Sequence, residues 1–253
     1  MAHKNDIQFT IREYSPSDEH VVMSLFRDGI LEHIYPAFFK AMSNPDHVGI
    51  TLSISMAGYV LGGSSYFQAF LFGCTWACLI YYCCHDIHDS YMKGRLSTDM
   101  ADIQATYLEN PDNGFWVAEA DVNGQAKVVG MVAVMGKRGK EEGVKSEDWN
   151  GGVSTEDVQD VGDRSYGLMS HVAVKFLWRN KKLGSQLTLK ALDFCKERGY
   201  SCLTVNVSTP QTAAFSMYHK LGFVQTASHC NMHVNQWFAK LARINVIQID
   251  KFI

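Results

Sequence analysis

The run VAVKFLWRNKKLGSQL, Val172 to Leu187, reads as a strand entering a helix through a basic turn that holds one glycine. A strand–turn–helix corner leaves the first amide hydrogens of the helix without intrahelical partners, and the helix field there is positive. Such a corner suits the diphosphate of a nucleotide-like ligand. Arg179, Lys181 and Lys182 add positive charge, and Gly184, between Leu183 and Ser185, lets a ligand approach the backbone closely. Neither GxGxxG nor GxxxxGK[ST] occurs there, so dinucleotide and ATP readings lose their best support. A set of merely solvated charges at a helix start is the plain alternative.

Several elements must hold that corner in place. Alternation predicts a strand over residues 7–13, followed by a helix for which Ser17 or Asp18 is the cap. Two apolar runs, 115–120 and 127–136, flank an Asn-Gly pair and predict a hairpin. Residues 137–164, rich in charge and glycine, read as a solvated loop or lid. Beyond it the pattern predicts a strand over 166–174, a helix over 184–198, a strand over 201–208, a helix from Pro210 to Gly222 and a strand from Phe223. The C-terminal VNQWFAKLARINVIQIDKFI is ambiguous, with one or two strands as its expected content. Mixed α/β layering follows, not a bundle or a repeat.

At 253 residues the chain can hold one substantial core with an accessory element. A net charge of -3 gives no bulk signature of a nucleic-acid binder, and nucleic acid is not an expected partner. Seven cysteines, an odd number with four in an apolar stretch, argue against a disulfide framework. No CxxC pair completes a ligand set around Cys83, Cys84, His85 and His88, so no metal is expected.

Residues 48–84 form a 37-residue run without one Asp, Glu, Lys, Arg or His. That exceeds an ordinary buried helix and reads as a lipid-contacting segment. LGGSS, residues 61–65, divides it, so a hairpin or re-entrant anchor is expected if both ends return to one sheet; a pair of buried helices is the alternative. The chain thus divides into 1–47 (first strand and helix), 48–84 (membrane-associated insert) and 85–253 (the remainder, with a flexible loop at 137–165).

On these residues the chain resembles the GNAT superfamily of acetyl-CoA-dependent N-acetyltransferases, and within it the camello-like, membrane-anchored group. The superfamily pattern of a strand valine followed by Arg/Gln-x-x-Gly-x-Gly/Ala falls on Val174, Arg179, Lys182 and Gly184, with Lys182 in place of the first glycine. A second signature, Tyr-x-x-x-Gly-Phe at a helix end, falls on Tyr218, Gly222 and Phe223; Gln211 is the nearest candidate for a cofactor-facing residue at the start of that helix. His171 and Val174 match the His-x-x-Val of camello-like members, and residues 48–84 match their apolar insert. Each residue keeps a plain reading: Tyr218 as core filling, His171 as a satisfied sheet histidine.

The resemblance implies a GNAT-like mixed central sheet flanked by helices, acetyl-CoA as co-substrate, and direct transfer to a primary amine in a ternary complex. His171 is the candidate to take the amine proton, directly or through water. The Val172 amide is the candidate oxyanion donor and Tyr218 the candidate acid for the CoA thiolate. Cysteine S-conjugates are the expected acceptors; protein lysine or aspartate, and a non-catalytic membrane adaptor weakened at Lys182, are the alternatives. Membrane lipid and the endoplasmic reticulum are the implied partner and location, and oligomeric state is left open.

Overall fold

The computed structural model describes residues 9–138, 165–229 and 236–253. Within them the alternating apolar segments build one seven-stranded sheet. Its strands are β1 (Phe9–Glu13), β2 (Asn113–Val122), β3 (Gln125–Arg138), β4 (Ser165–Val174), β5 (Cys202–Ser208), β6 (Val224–His229) and β7 (Val246–Phe252), in the order β1-β2-β3-β4-β5-β7-β6. Every neighbouring pair is antiparallel except β4 and β5, which run parallel. This is the mixed sheet the sequence predicts. The expected Asn-Gly hairpin is present: Asn123 and Gly124 both take left-handed φ, 58° and 77°, matching the twist of β2 and β3. Residues 139–164 of the expected loop lie outside the described residues, while Lys137 and Arg138 extend β3.

Helices cover both faces. On one face α5 (Leu183–Glu197) buries Leu183, Leu187, Ala191, Leu192 and Cys195 against Val132, Val134 and Leu203, joined by α6 (Thr212–Lys220) through Tyr218. Gly130 lets α5 come close, since a Cβ there would lie 3.1 Å from Leu187 Cδ1. On the other face α1 (Glu19–Leu31) sets Val22, Leu25 and Phe26 against Phe115, Val117 and Met131. Ahead of α1, Arg12 of β1 bonds both Asp18 and Glu119, which ties the strand to the helix start. The Arg12 hydrogen bonds hold the Asp18 carboxyl below the usual range, although burial opposes them. Asp18 therefore works as an ion partner, and its side chain does not cap the helix as expected.

The apolar insert is a helical hairpin. After α2 (Ile34–Met42), α3 (Pro45–Leu61) and α4 (Tyr66–Leu96) meet at the expected reversal. Gly63 at φ 65° and the bonds Gly63 N–H to Val60 O and Ser64 N–H to Tyr59 O close the end of α3. Gly58 and Gly73 allow close packing, because a Cβ at either would meet Phe72 or Ser55 at under 3 Å. Two boundaries differ from expectation. α4 runs without a break through residue 84 to Leu96, because Ile80, Cys83, Cys84 and Ile87 pack against α2 and α7 (Gln236–Ala242). The ambiguous C-terminal run opens with α7 and only then forms β7: Ala239 and Ala242 find a helical seat beside α4 that no local pattern announces.

Candidate active site

β4 and β5 pair only where Gly167–Met169 face Leu203–Val205. Beyond that the two strands part. A cavity of about 1050 Å³ opens between them, lined by residues 168–174 of β4 and 205–207 of β5. Strand edges that part in this way present backbone donors and acceptors without a ladder partner, a ready seat for an extended amide-bearing chain.

The cavity wall is irregular beside His171 and Val172. β3 advances from Met131 to Ala133 while β4 advances from Ala173 back to Ser170, so β4 carries one extra residue. His171 absorbs it with φ of 53°, a left-handed conformation uncommon for a non-glycine residue. His171 and Val172 therefore fall outside the register with β3, and both line the cavity.

The imidazole of His171 turns away from bulk water; its side chain is 1% exposed. Its Nε2 lies 2.6 Å from Asp99 Oδ2, and its ring meets Phe26 edge-on at 5.1 Å. Asp99 follows α4 and is buried; Oδ2 also accepts from Tyr107 at 2.8 Å and Oδ1 from Thr98 at 3.1 Å. Burial alone would raise the Asp99 carboxyl, but the bonds from His171 and Tyr107 and the charge of Arg95 hold it well below the usual carboxylate range. An ionised Asp99 fixes a proton on Nε2, which leaves Nδ1 as the histidine's proton-accepting atom. Burial, reinforced by Asp99's charge, pushes Tyr107 up, so it remains a phenol and donates.

The basic turn is built as a cradle. Asn180 and Lys182 have φ of 61° and 62°, and Lys182 is the N-cap of α5. Lys182 thus adopts the left-handed conformation that a glycine there would supply, and it lines the cavity with Leu183, Gly184 and Ser185. Gly184 sits under α6, where a Cβ would lie 2.9 Å from Met217 Sδ.

Two of the expected cations are otherwise engaged. Arg179 lines the cavity, but Nη2 donates to both Glu32 oxygens at 2.6 and 2.7 Å, and Nε donates to Val174 O at 2.9 Å. It braces the turn against α1 instead of offering free charge. Lys181 lies outside the cavity lining, its ammonium 4.4 Å from the centre of the Trp178 ring. Val174 lines the cavity, and so does Gln211, whose Oε1 accepts from Ser208 N at 3.1 Å and closes the approach to α6.

Tyr218 is buried in the same cavity wall, its ring 5.4 Å from Phe223. Burial pushes its hydroxyl up, so it is a phenol across the neutral range. Cys195 is buried on the sheet-facing side of α5 with its thiol pushed up to about 12, first by burial, and offers no nucleophile. Among the described residues no group of His, Cys, Asp and Glu could hold a metal ion.

The acetyltransferase (GNAT) family model matches residues 81–223, more than half of the chain. The chain belongs to the GNAT acetyltransferase family. N-acetyltransferase family 8 member 3 of Mus musculus is 27% identical over 219 residues, covering 86% of this chain and 85% of that protein. Probable N-acetyltransferase camello of Xenopus tropicalis is 25% identical over 214 residues, covering 85% of each. The camello-like resemblance of the sequence is thereby met. Among solved structures, Arabidopsis thaliana NAA60 in complex with acetyl-CoA superimposes with a TM-score of 0.53 at 12% identity, over 97% of this chain and 99% of that one; it shares the fold. As a member of this family the chain is an acetyl-CoA-dependent N-acetyltransferase.

The cavity thus brings together His171, Val172, Val174, Arg179, Lys182, Leu183, Gly184, Ser185, Gln211 and Tyr218, and leaves out Lys181. Sequence reasoning missed Asp99, Tyr107 and Glu32. Asp99 stands 72 residues from His171 and Glu32 stands 147 from Arg179, and each reads locally as one more polar helix residue.

Proposed function

We propose that this GNAT enzyme moves an acetyl group from acetyl-CoA to the primary amine of a small acceptor at a membrane surface, inside the cavity between β4 and β5. The observation that carries this reading is the parting of the two strands at a bulge, directly beside the left-handed turn that opens α5. The residues present fit acetyl-CoA. The open strand edges suit its amide-bearing arm, and the amides of Leu183, Gly184 and Ser185, with Lys182 above them, suit its diphosphate. Arg179 holds the turn in shape through Glu32 and Val174.

Acetyl-CoA supplies a thioester: its carbonyl carbon takes the amine nitrogen as the C–S bond breaks, the nitrogen gives up a proton and the sulfur gains one. Val172, freed from the β3 register, would present its amide to the carbonyl oxygen. His171 would accept the amine proton at Nδ1, with Asp99 fixing the tautomer and stabilising the imidazolium; the buried ring favours a water between them. Tyr218, kept protonated by burial, would hydrogen-bond the departing sulfur and return a proton to it. No acyl-enzyme is required, in keeping with the inert Cys195.

For the acceptor we favour a cysteine S-conjugate over protein lysine or aspartate. Phe26, Ile30, Pro36 and Tyr91 make an apolar wall at the α1 end of the cavity that suits a hydrophobic S-substituent. The hairpin supports membrane delivery. Among the described residues α4 is the one helix long and apolar enough to cross a bilayer, yet from Ile80 onward one face of it packs into the fold. Residues 66–79 therefore protrude by about 21 Å, short of the ~30 Å hydrocarbon core. Leu52, Met56, Val60, Phe67 and Phe70 are exposed along it, and the closed helix end at Gly63 and Ser64 limits unpaired backbone at the tip. A re-entrant anchor, entering and leaving on one side, fits these lengths. The endoplasmic reticulum is inferred on the resemblance alone.

The test is an amine panel with labelled acetyl-CoA, comparing S-substituted cysteines, aspartate and lysine peptides. Turnover unaltered by His171→Ala combined with Tyr218→Phe would refute the assigned roles. Release by alkaline carbonate without detergent would refute the anchor.

A further inference from the structure

Two arginines among the described residues line the cavity, and they are treated differently. Arg179 is saturated by Glu32 and a carbonyl at 2.6 to 2.9 Å. Arg95, in the last turn of α4, has Asp99 as its carboxylate neighbour, with Nη1 3.7 Å from Oδ1. That is wider than a hydrogen bond, and Asp99 already accepts from His171, Tyr107 and Thr98. A guanidinium carries five N–H donors in a planar fork, more than Asp99 engages at this distance. Its side chain is 36% exposed, and it lies over the Tyr91 ring at 5.4 Å, on the wall formed with Phe26, Gly29 and Ile30. The cation is flanked by Asp99 and by Tyr91, with which it also shares a side-chain hydrogen bond, and it lines the cavity with donors left over.

Position narrows what it would hold. His171 and Arg95 meet on opposite oxygens of one carboxylate, so the proton-accepting residue and the open guanidinium stand one Asp99 apart. An α-amino acid carries its amine and its carboxylate on one carbon. A lysine ε-amine in a peptide has no carboxylate beside it.

We propose that Arg95 is the carboxylate anchor of the acceptor site, binding the free α-carboxylate of an amino acid while the α-amine faces the bulge at His171 and Val172. This rests on the transfer reading above and sharpens it: the acceptor class is free α-amino acids, and peptide lysine is excluded. The apolar wall leaves the side chain of that amino acid a hydrophobic seat.

The experiment compares S-benzyl-L-cysteine with its carboxamide as acceptors for labelled acetyl-CoA, using the full-length protein. Removing the carboxylate deprives the half-buried guanidinium of its charged partner, so the acid is expected to exceed the carboxamide about 100-fold in kcat/KM, chiefly through KM. The carboxamide's amine is the less basic and more of it is free base at neutral pH, which biases the comparison against this result. In Arg95→Gln the ratio is expected to fall to within about threefold, and Arg95→Lys to restore part of it. Equal use of acid and carboxamide by the unmodified protein, a ratio that survives Arg95→Gln, or a lysine peptide outperforming the free amino acid would each overturn the anchor and leave acetyl transfer standing. Acetylation of none of the amines would overturn the transfer reading itself, and the anchor with it. The unmodified protein's own ratio decides the matter if the variants do not fold.

Discussion

The two ends of the cavity are assembled in different ways. The end beside α5 comes from one run, Val174 to Ser185, in which a strand, a turn and a helix start succeed one another; local backbone conformation shapes it, through left-handed φ at Asn180 and Lys182. The end beside α1 and α4 is gathered from Glu32, Arg95 and His171, and behind it His171, Asp99 and Tyr107 form a buried hydrogen-bonded cluster. The first is shaped by backbone conformation, with Lys182 itself in the left-handed region. The second is a side-chain site in which each partner leaves another unsatisfied if removed. That difference predicts where substitutions hurt.

The largest effect is expected at Asp99. Asp99→Asn removes the charge that orients His171 and accepts from Tyr107, so the unfolding free energy measured by urea titration should fall by about 3 kcal/mol. The acetylation rate should drop about 100-fold or more. Wild-type rate and stability in that variant would reduce the acceptor end to scaffold. Gly184→Val comes next. The new side chain meets Met217 at the helix start, and calorimetry should show acetyl-CoA affinity weakened about 10-fold or more while the KM for the amine moves little. A comparable rise in both constants would mean that the ends are not separable.

Acid should probe the same cluster. Asp99 and Asp18 are both held below their ordinary range, so the stability they contribute is complete above the unfolded carboxyl pKa near ~4 and is lost as pH falls through the folded values. The stability gap between wild type and Asp99→Asn should therefore narrow steadily below about pH 4, and a gap independent of pH would show that packing, not charge, carries the effect. The smallest change is expected at the turn. Lys182→Gly relieves a left-handed residue at some cost in chain entropy, for a net gain of about 0.5 kcal/mol in thermal melts. A loss there would assign the lysine side chain a structural contact.

Legibility follows the same division. The Asn-Gly hairpin, α5, the strand through His171 and the reversal at GGSS were readable because each is specified within a dozen residues, while the bulge in that strand was not. The run from Gln236 to Ala242 was not, since its helical state depends on packing beside α4. Arg179 reads in sequence as a free cation beside the turn, whereas in the fold it pairs with Glu32 at the end of another helix, a partner the local sequence does not announce.

The sequence by itself determined the sheet-and-helix order, the apolar hairpin and the strand–turn–helix corner that opens α5, since these depend on periodicity and turn chemistry that neighbouring residues specify. Tertiary structure alone decided which carboxylate meets which cation and that Arg95 is left facing the cavity. Electrostatic partnership depends on distance in space, and the residues concerned have no local signal by which to find one another.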